Sequence, residues 1–434
     1  MGFRSHLFLF FGKVFVRIVL FFWFLVCCGM GSTAFSQDLS LKDCLRQART
    51  HSLLILQSQI GESHAKADQS EAEGKKAPQL SAVGKYTATD DPSTNLPDDN
   101  QALLRADQNL LPFLSPEWIR AGAKGEESLT ASFRRQEAET ETDFQVKQLY
   151  FSILRDQETF QGLQKVEKEL KNILESLAPR YSVGRVPQFD KVKVDVALAD
   201  LARQKDQTLV QLQNEELQLD QLMGRDDADA PDLKPLSILP SLPEDNEIKE
   251  NLPLNPSFKA LEGEVKSAQI DLDAAQWERA PSLNADFRYG YMGYTANDLL
   301  LGWDAMVEMQ LPLFDWGQIN AHADQARASY QLAQTGLKLE KQKETADFQQ
   351  SRQEAQSNLT DEERLKSILP EVAEASHAAI KEYRRGAMGI LEVTDAANLW
   401  LTTIVNERAA YYAYLSNLAK MERLTGGEWK VRYE

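Results

Sequence analysis

The side chains that usually carry chemistry are thinly spread in this sequence of 434 residues. His6, His51, His64, His322 and His377 fall singly, with no metal-ligand spacing. Cys27 and Cys28 lie in an N-terminal apolar run, so Cys44 is alone once that run is removed. Neither an intrachain disulfide nor a cysteine metal site is then available. No Ser/His/Asp grouping and no glycine-rich phosphate loop is present. The reading is of a non-enzyme without catalytic residues, metal or cofactor. What recurs is a reversal. Tyr383, Gly386 and the acid Glu392 precede a helix-forming run that closes at Leu424-Thr425-Gly426. Shifted back by 202, the same punctuation stands as Tyr181, Gly184 and Asp190, closing at Leu222-Met223-Gly224.

The repetition extends upstream. Pro78-Gln79-Leu80-Ser81-Ala82 answers Pro281-Ser282-Leu283-Asn284-Ala285 at an offset of 203, and Leu111-Pro112-Phe113 answers Leu311-Pro312-Leu313 at 200. Equal spacing over a whole supersecondary unit means duplication. The first copy is expected over 37–224, with a helix, a hairpin at 80–111, a long helix at 117–181 and a helix at 189–223. The second is expected over 254–426, with its hairpin at 282–313, long helix at 319–382 and last helix at 390–425. Residues 225–253, with Pro231, Pro235, Pro240 and Pro243, read as a linker, and 427–434 as a tail.

Several elements carry their own signals. Leu39 to Lys76 reads as one helix started by Ser40 and stopped by Gly74 and Pro78. Leu163, Val166, Leu170, Ile173 and Leu177 step by 3, 4, 3, 4, the narrow seam of a coiled coil. A helix of about 65 residues spans about 98 Å, and Pro370 is expected to kink the second one. In the second hairpin Leu283, Ala285, Phe287, Tyr289 and Tyr291 alternate with polar residues, as do Trp303, Ala305, Val307, Met309 and Leu311. Ten residues, apolar on one side and charged on the other with aromatics near the ends, is the pattern of a transmembrane barrel strand. The other reading is a half-buried strand of a soluble sheet, but two hairpins among helices leave little to cover it.

The formal net charge is −17, and the first 36 residues hold Arg4, Lys13 and Arg17 without an acid, so the remainder carries −20. That argues against nucleic acid or an anionic membrane surface as partner. Basic residues before the apolar run Ile18 to Cys28, then Ala34-Phe35-Ser36, read as a secretory signal at 1–36. An uncleaved anchor and a lipidated Cys28 are the alternatives. Four strands cannot close a barrel, which needs about eight, and open edges are not tolerated in lipid. Closure calls for several chains, and three would give twelve strands.

With these residues in view, the mature chain resembles the TolC-type outer-membrane efflux proteins. The resemblance rests on the duplicated Tyr-x-x-Gly reversal followed by an acid, the Leu-x-Gly closes, Asn255-Pro256 opening the second copy, and Leu311-Pro312-Leu313-Phe314-Asp315-Trp316-Gly317. The first copy departs, with Ser52-Leu53 for Asn-Pro and Leu114-Ser115-Pro116 for Asp-Trp-Gly. The resemblance implies a mainly α fold with a transmembrane β part. Long antiparallel coiled-coil helices would form an α-barrel tunnel, and the two hairpins would give four strands to a trimeric twelve-stranded β-barrel. It implies a passive exit duct in the outer membrane with a long periplasmic extension, contacting outer-membrane lipid through Leu283, Phe287, Tyr289, Tyr291, Trp303, Val307 and Leu311. A periplasmic adaptor would dock at the tip (Val183, Gly184, Arg185, Arg385, Gly386, Ala387) and connect it to an inner-membrane pump of the RND or ABC type. The aperture would be set by Glu392 and Asp395, matching the family's paired acids and stacked as rings in a trimer, and by Asp190 and Tyr383. Met388 stands where a gating Arg can occur. A pore-free periplasmic scaffold or adaptor is the rival reading, with no use for the apolar strands.

Overall fold

The computed structural model describes residues 39–86, 100–111, 115–182, 186–225, 233–236, 239–243, 254–293, 299–427, 429 and 431–433. The expected signal at 1–36 lies outside them. The described elements are α1 (Leu41–His51), α2 (Leu53–Gly74), β1 (Gln79–Lys85), β2 (Asn100–Asn109), α3 (Pro116–Ser182), α4 (Gln188–Met223), α5 (Pro256–Trp277), β3 (Ser282–Gly293), β4 (Leu300–Gln310), α6 (Gln318–Arg385) and α7 (Ile390–Leu424). The long helices α3 and α6 have 67 and 68 residues, about 100 Å each. The backbone of α6 stays helical through Pro370.

The expected single helix at 39–76 is instead two. Ser40 does cap the start, its side chain accepting from the Asp43 N–H at 3.3 Å. At Ser52 the backbone turns extended (φ −60°, ψ 123°), and its hydroxyl lies 3.3 Å from that of Thr142 on α3. Asn255, 203 positions later, has nearly the same backbone (φ −52°, ψ 124°) where it opens α5. The duplicated joint is therefore kept without its proline, which is why no Pro or Gly betrayed it in the sequence.

The helices stand side by side in a fixed order. The long α3 packs against α2, α4, α5 and α7, α4 also touches α7, and α6 packs against α5 and α7. Pairs of short helices thus run beside each long one. Close approach is built in by glycine: a Cβ on Gly263 of α5 would lie 2.1 Å from the Thr130 hydroxyl of α3, and one on Gly162 of α3 2.8 Å from Ile404 of α7.

Two apolar cores hold this wall together. The first, at mid-length, gathers Cys44, Tyr150, Phe151, Leu219, Phe348, Tyr414, Leu418 and Met421, with Leu233 and Tyr433 closing it from outside the helices. Leu39 and Leu233 form a parallel bridge, and the Tyr414 hydroxyl donates to the Pro240 carbonyl at 2.6 Å. The second runs toward the reversals and contains the whole predicted seam, Leu163 to Leu177, against Ile380, Tyr383, Val393, Trp400 and Leu401.

Near the first core, Asn255 ties three helices. Its amide donates to Glu344 of α6 at 2.6 Å and to the Leu424 carbonyl ending α7 at 3.1 Å, and its carbonyl accepts from the Ser257 N–H at 2.9 Å. Burial raises the Glu344 pKa from 4.5 to about 7, with Arg423 opposing and Glu340 and Glu137 adding to the rise.

At the other end the four strands form one antiparallel sheet in the order β1-β2-β3-β4. The register aligns Leu283 with Met309, Ala285 with Val307, Phe287 with Ala305 and Tyr289 with Trp303. Leu104 and Ala106 of β2 oppose Tyr289 and Phe287, and Ala82 and Leu80 of β1 oppose those in turn. One apolar face therefore crosses all four strands, and its Phe287, Tyr289, Trp303 and Val307 are exposed. The opposite face is polar, with Asp286 held between Arg105 and Arg288. Leu283 and Tyr291 share the apolar face by register, and Leu311 lies one residue past β4. Among the described residues no helix is long and apolar enough to cross a membrane.

These contacts give two expectations. Val307→Arg should impair membrane assembly by about 2–4 kcal/mol near a bilayer midplane, whereas Met306→Arg, paired with Asp286 on the polar face, should be tolerated; heat-modifiable gel mobility reads both. Because the folded Glu344 pKa lies above its unfolded value, stability should fall as pH rises from about 4.5 through about 7. Glu344→Gln keeps an acceptor for Asn255 and should flatten that slope, gaining roughly 1–3 kcal/mol at alkaline pH after solvent screening; thermal unfolding across pH measures it.

Candidate functional site

The most elaborated group of side chains lies where the long helices reverse. Gly386 ends α6 in the left-handed region (φ 81°), so that its N–H reaches the Tyr383 carbonyl at 2.9 Å and the Ala387 N–H reaches Glu382 at 3.0 Å. A side chain at Gly386 would meet nothing within 4 Å, so the requirement for glycine is conformational alone. Gly389 returns to extended backbone and caps α7.

The Tyr383 ring is 4% exposed, and its hydroxyl donates to Asp190 Oδ2 at 2.8 Å. This bond joins the second reversal to the first turn of α4, across the two copies. Arg385 donates to Glu382 at 2.8 Å, one helical turn back. Glu392 folds over its own helix start: a Cβ on Gly389 would lie 2.5 Å from its Oε2. There the carboxylate faces the unpaired N–H groups and positive end of α7. Asp395 stands exposed one turn on, as do Arg385, Gly386 and Ala387. Val183, Gly184 and Arg185 lie outside the described residues.

The copies are not equivalent at the tip. Tyr181 is exposed, with the Lys191 ammonium 6.0 Å from its ring centroid, whereas its counterpart Tyr383 is buried and bonded. Sequence reasoning passed over Val186 and Ile390, both buried in the core beneath the tip. Each is the first large aliphatic residue beyond its reversal, 204 positions apart, so the duplication itself could have identified them. Among the described residues no group of histidine, cysteine and carboxylate side chains could hold a metal ion. The site holds a turn and positions charge.

Removing the Tyr383 hydroxyl isolates its bond to a carboxylate. Tyr383→Phe should cost about 1–2 kcal/mol locally and speed hydrogen exchange at the start of α4 roughly 5- to 30-fold; unchanged exchange there would show the bond to be idle.

The outer membrane efflux protein family matches residues 248–427, the second copy. Comparison with curated protein sequences gave no significant match. Among solved structures, the chain is similar to a membrane protein from Pseudomonas aeruginosa, at 17% identity and a TM-score of 0.83, over 90% of each chain. It is similar to the CmeC outer membrane channel of Campylobacter jejuni, at 15% identity and 0.79, over 90% of this chain and 86% of that one. A third is the open state of the Neisseria gonorrhoeae MtrE outer membrane channel, at 17% identity and 0.77, over 89% and 88%. Channels, not enzymes, are what this fold serves in the last two. Residues 248–427 match the outer membrane efflux protein family, and the chain has the fold of these solved outer membrane channels.

Proposed function

We propose that three copies of this chain form one gated exit duct. The observation that carries this is the coincidence of open edges. Among the described residues β1 and β4 each have one strand partner. In the helical wall α2 and α4 pack mainly on α3, with α4 reaching α7 and, through the Tyr383–Asp190 bond, α6 near the tip, and α6 packs mainly on α5 and α7. The β1 edge and the α2/α4 edge come from the same end of the element order, and β4 and α6 from the other. One rotation that joins β4 to the next β1 therefore also joins α6 to the next α2 and α4. Three copies supply twelve strands, enough for a closed barrel, and leave no unpaired edge in lipid. Exposed Leu332 and Leu339 on α6, and Ile60, Val210 and Leu217 on α2 and α4, supply apolar side chains along the two free flanks.

The barrel crosses the outer membrane with its apolar face in lipid, and the helices continue it as a periplasmic tunnel. At the far end, Arg385, Gly386 and Ala387, with the first reversal at 183–185, take the hairpin of a periplasmic adaptor that connects the duct to an inner-membrane pump. Tyr383 and Asp190 hold the tip closed, and Glu392 and Asp395 from three chains ring the aperture. Met388 supplies no charge to this lock.

Native mass measurement in detergent tests the assembly: three copies are expected, and a stable monomer would overturn the barrel. In a planar bilayer, a trivalent cation on the tip side should block the current of the wild type by binding the acid rings. Glu392→Ala with Asp395→Ala should abolish the block while leaving the trimer intact. An unchanged block would remove both residues from the aperture.

A further inference from the structure

We infer that the corner Leu313-Phe314-Asp315-Trp316 is a docking knob for the α2–β1 turn of a second copy of this chain. The inference rests on the trimeric reading above and adds the contact that fixes the join between barrel and tunnel.

Trp316 is the one non-glycine residue with positive φ (54°) among the described residues. A bulky side chain in the left-handed region is strained, and such strain persists only where the surroundings impose it. Here the imposing group is Asp315. Its carboxylate accepts from the Gly317 N–H at 3.1 Å and the Ile319 N–H at 2.7 Å, capping α6 and locking the corner. Leu313, Phe314 and Trp316 are nevertheless 88%, 73% and 87% exposed, and the Phe314 and Trp316 rings touch edge to face at 4.6 Å. The corner is rigid, apolar and uncovered within its own chain.

The duplication says what covers it. The equivalent corner of the first copy reads Leu114-Ser115-Pro116 and leads into α3, which has helices on both flanks; Ser115 there is only 8% exposed. The aromatic corner leads into α6, whose second flank is free, directly after β4, the free edge of the sheet. Trp316 stands at the corner after β4, an edge strand, whereas its counterpart Ser115 stands at the corner after β2, an internal strand. Pairing β4 with the next β1 brings the Trp316 corner beside the turn that enters that β1. The facing edge of the next copy offers Ala77, Pro78 and Leu80, all exposed at the turn from α2 into β1.

The test introduces p-benzoylphenylalanine at position 316 of the full chain in outer membranes and irradiates it. The expected product is a covalent dimer whose cross-link maps to residues 75–80 of the second chain. Trp316→Gly relaxes the strained backbone but removes the knob, and should speed trimer dissociation in detergent by roughly 10- to 100-fold, the range for losing a buried aromatic anchor. Trp316→Phe should retain most of the stability. If native mass shows a trimer but position 316 labels only lipid, or labels nothing, this inference falls and the trimeric reading stands. A monomer by native mass overturns both.

Discussion

Everything in this chain follows from burying a narrow apolar seam along helices about 100 Å long. A seam that steps by three and four residues covers one strip of a helix and leaves the rest wet. Leu163, Val166, Leu170, Ile173 and Leu177 are buried against Ile380, Val393 and Leu401, but there is no bulk with which to wrap a globular centre. The helices can only stand in a row, each covered by its neighbours. A row has two ends, here the outer flanks of α2 with α4 and of α6.

The same constraint explains the two concentrations of large side chains. Pairs of shorter helices beside one long helix must meet at mid-length, where their ends expose unpaired carbonyls and N–H groups. The chain closes that level with Tyr150, Tyr412, Tyr414 and Tyr433 and with Asn255, whose amide reaches the last carbonyl of α7. Toward the reversals there is a second terminus problem. There Gly386 turns the backbone, Glu392 faces the start of α7, and the Tyr383–Asp190 bond joins the copies. Both levels are polar networks set into apolar packing, and in both the partners come from distant parts of the sequence.

Departures from the repeat are as informative as the repeat. Ser52 keeps the backbone of Asn255 without its proline, so the joint is required by geometry rather than by one residue type. Tyr181 and Tyr383 occupy the same place in each copy yet differ in burial, because α3 and α6 have different neighbours. The same Tyr-x-x-Gly punctuation thus acquires different surroundings once the copies are packed together.

What the sequence by itself determined was whatever depends on spacing along the chain. The seam, the two reversals, the duplicated order of elements and the apolar face of the second hairpin are all periodic, and period is local. The alternation from Leu283 to Met309 placed those residues on one face before any pairing was known, since a strand has only two faces. Tertiary structure alone decided which helix stands beside which, where α1 breaks from α2, and where the tip acids turn. Ser52 carries no breaker signal, and its hydroxyl meets Thr142, 90 residues away. Asp190 finds its donor 193 positions off. Interactions across such distances are chosen by packing, because no local pattern of charge or hydropathy distinguishes the partner selected from the many it could have had.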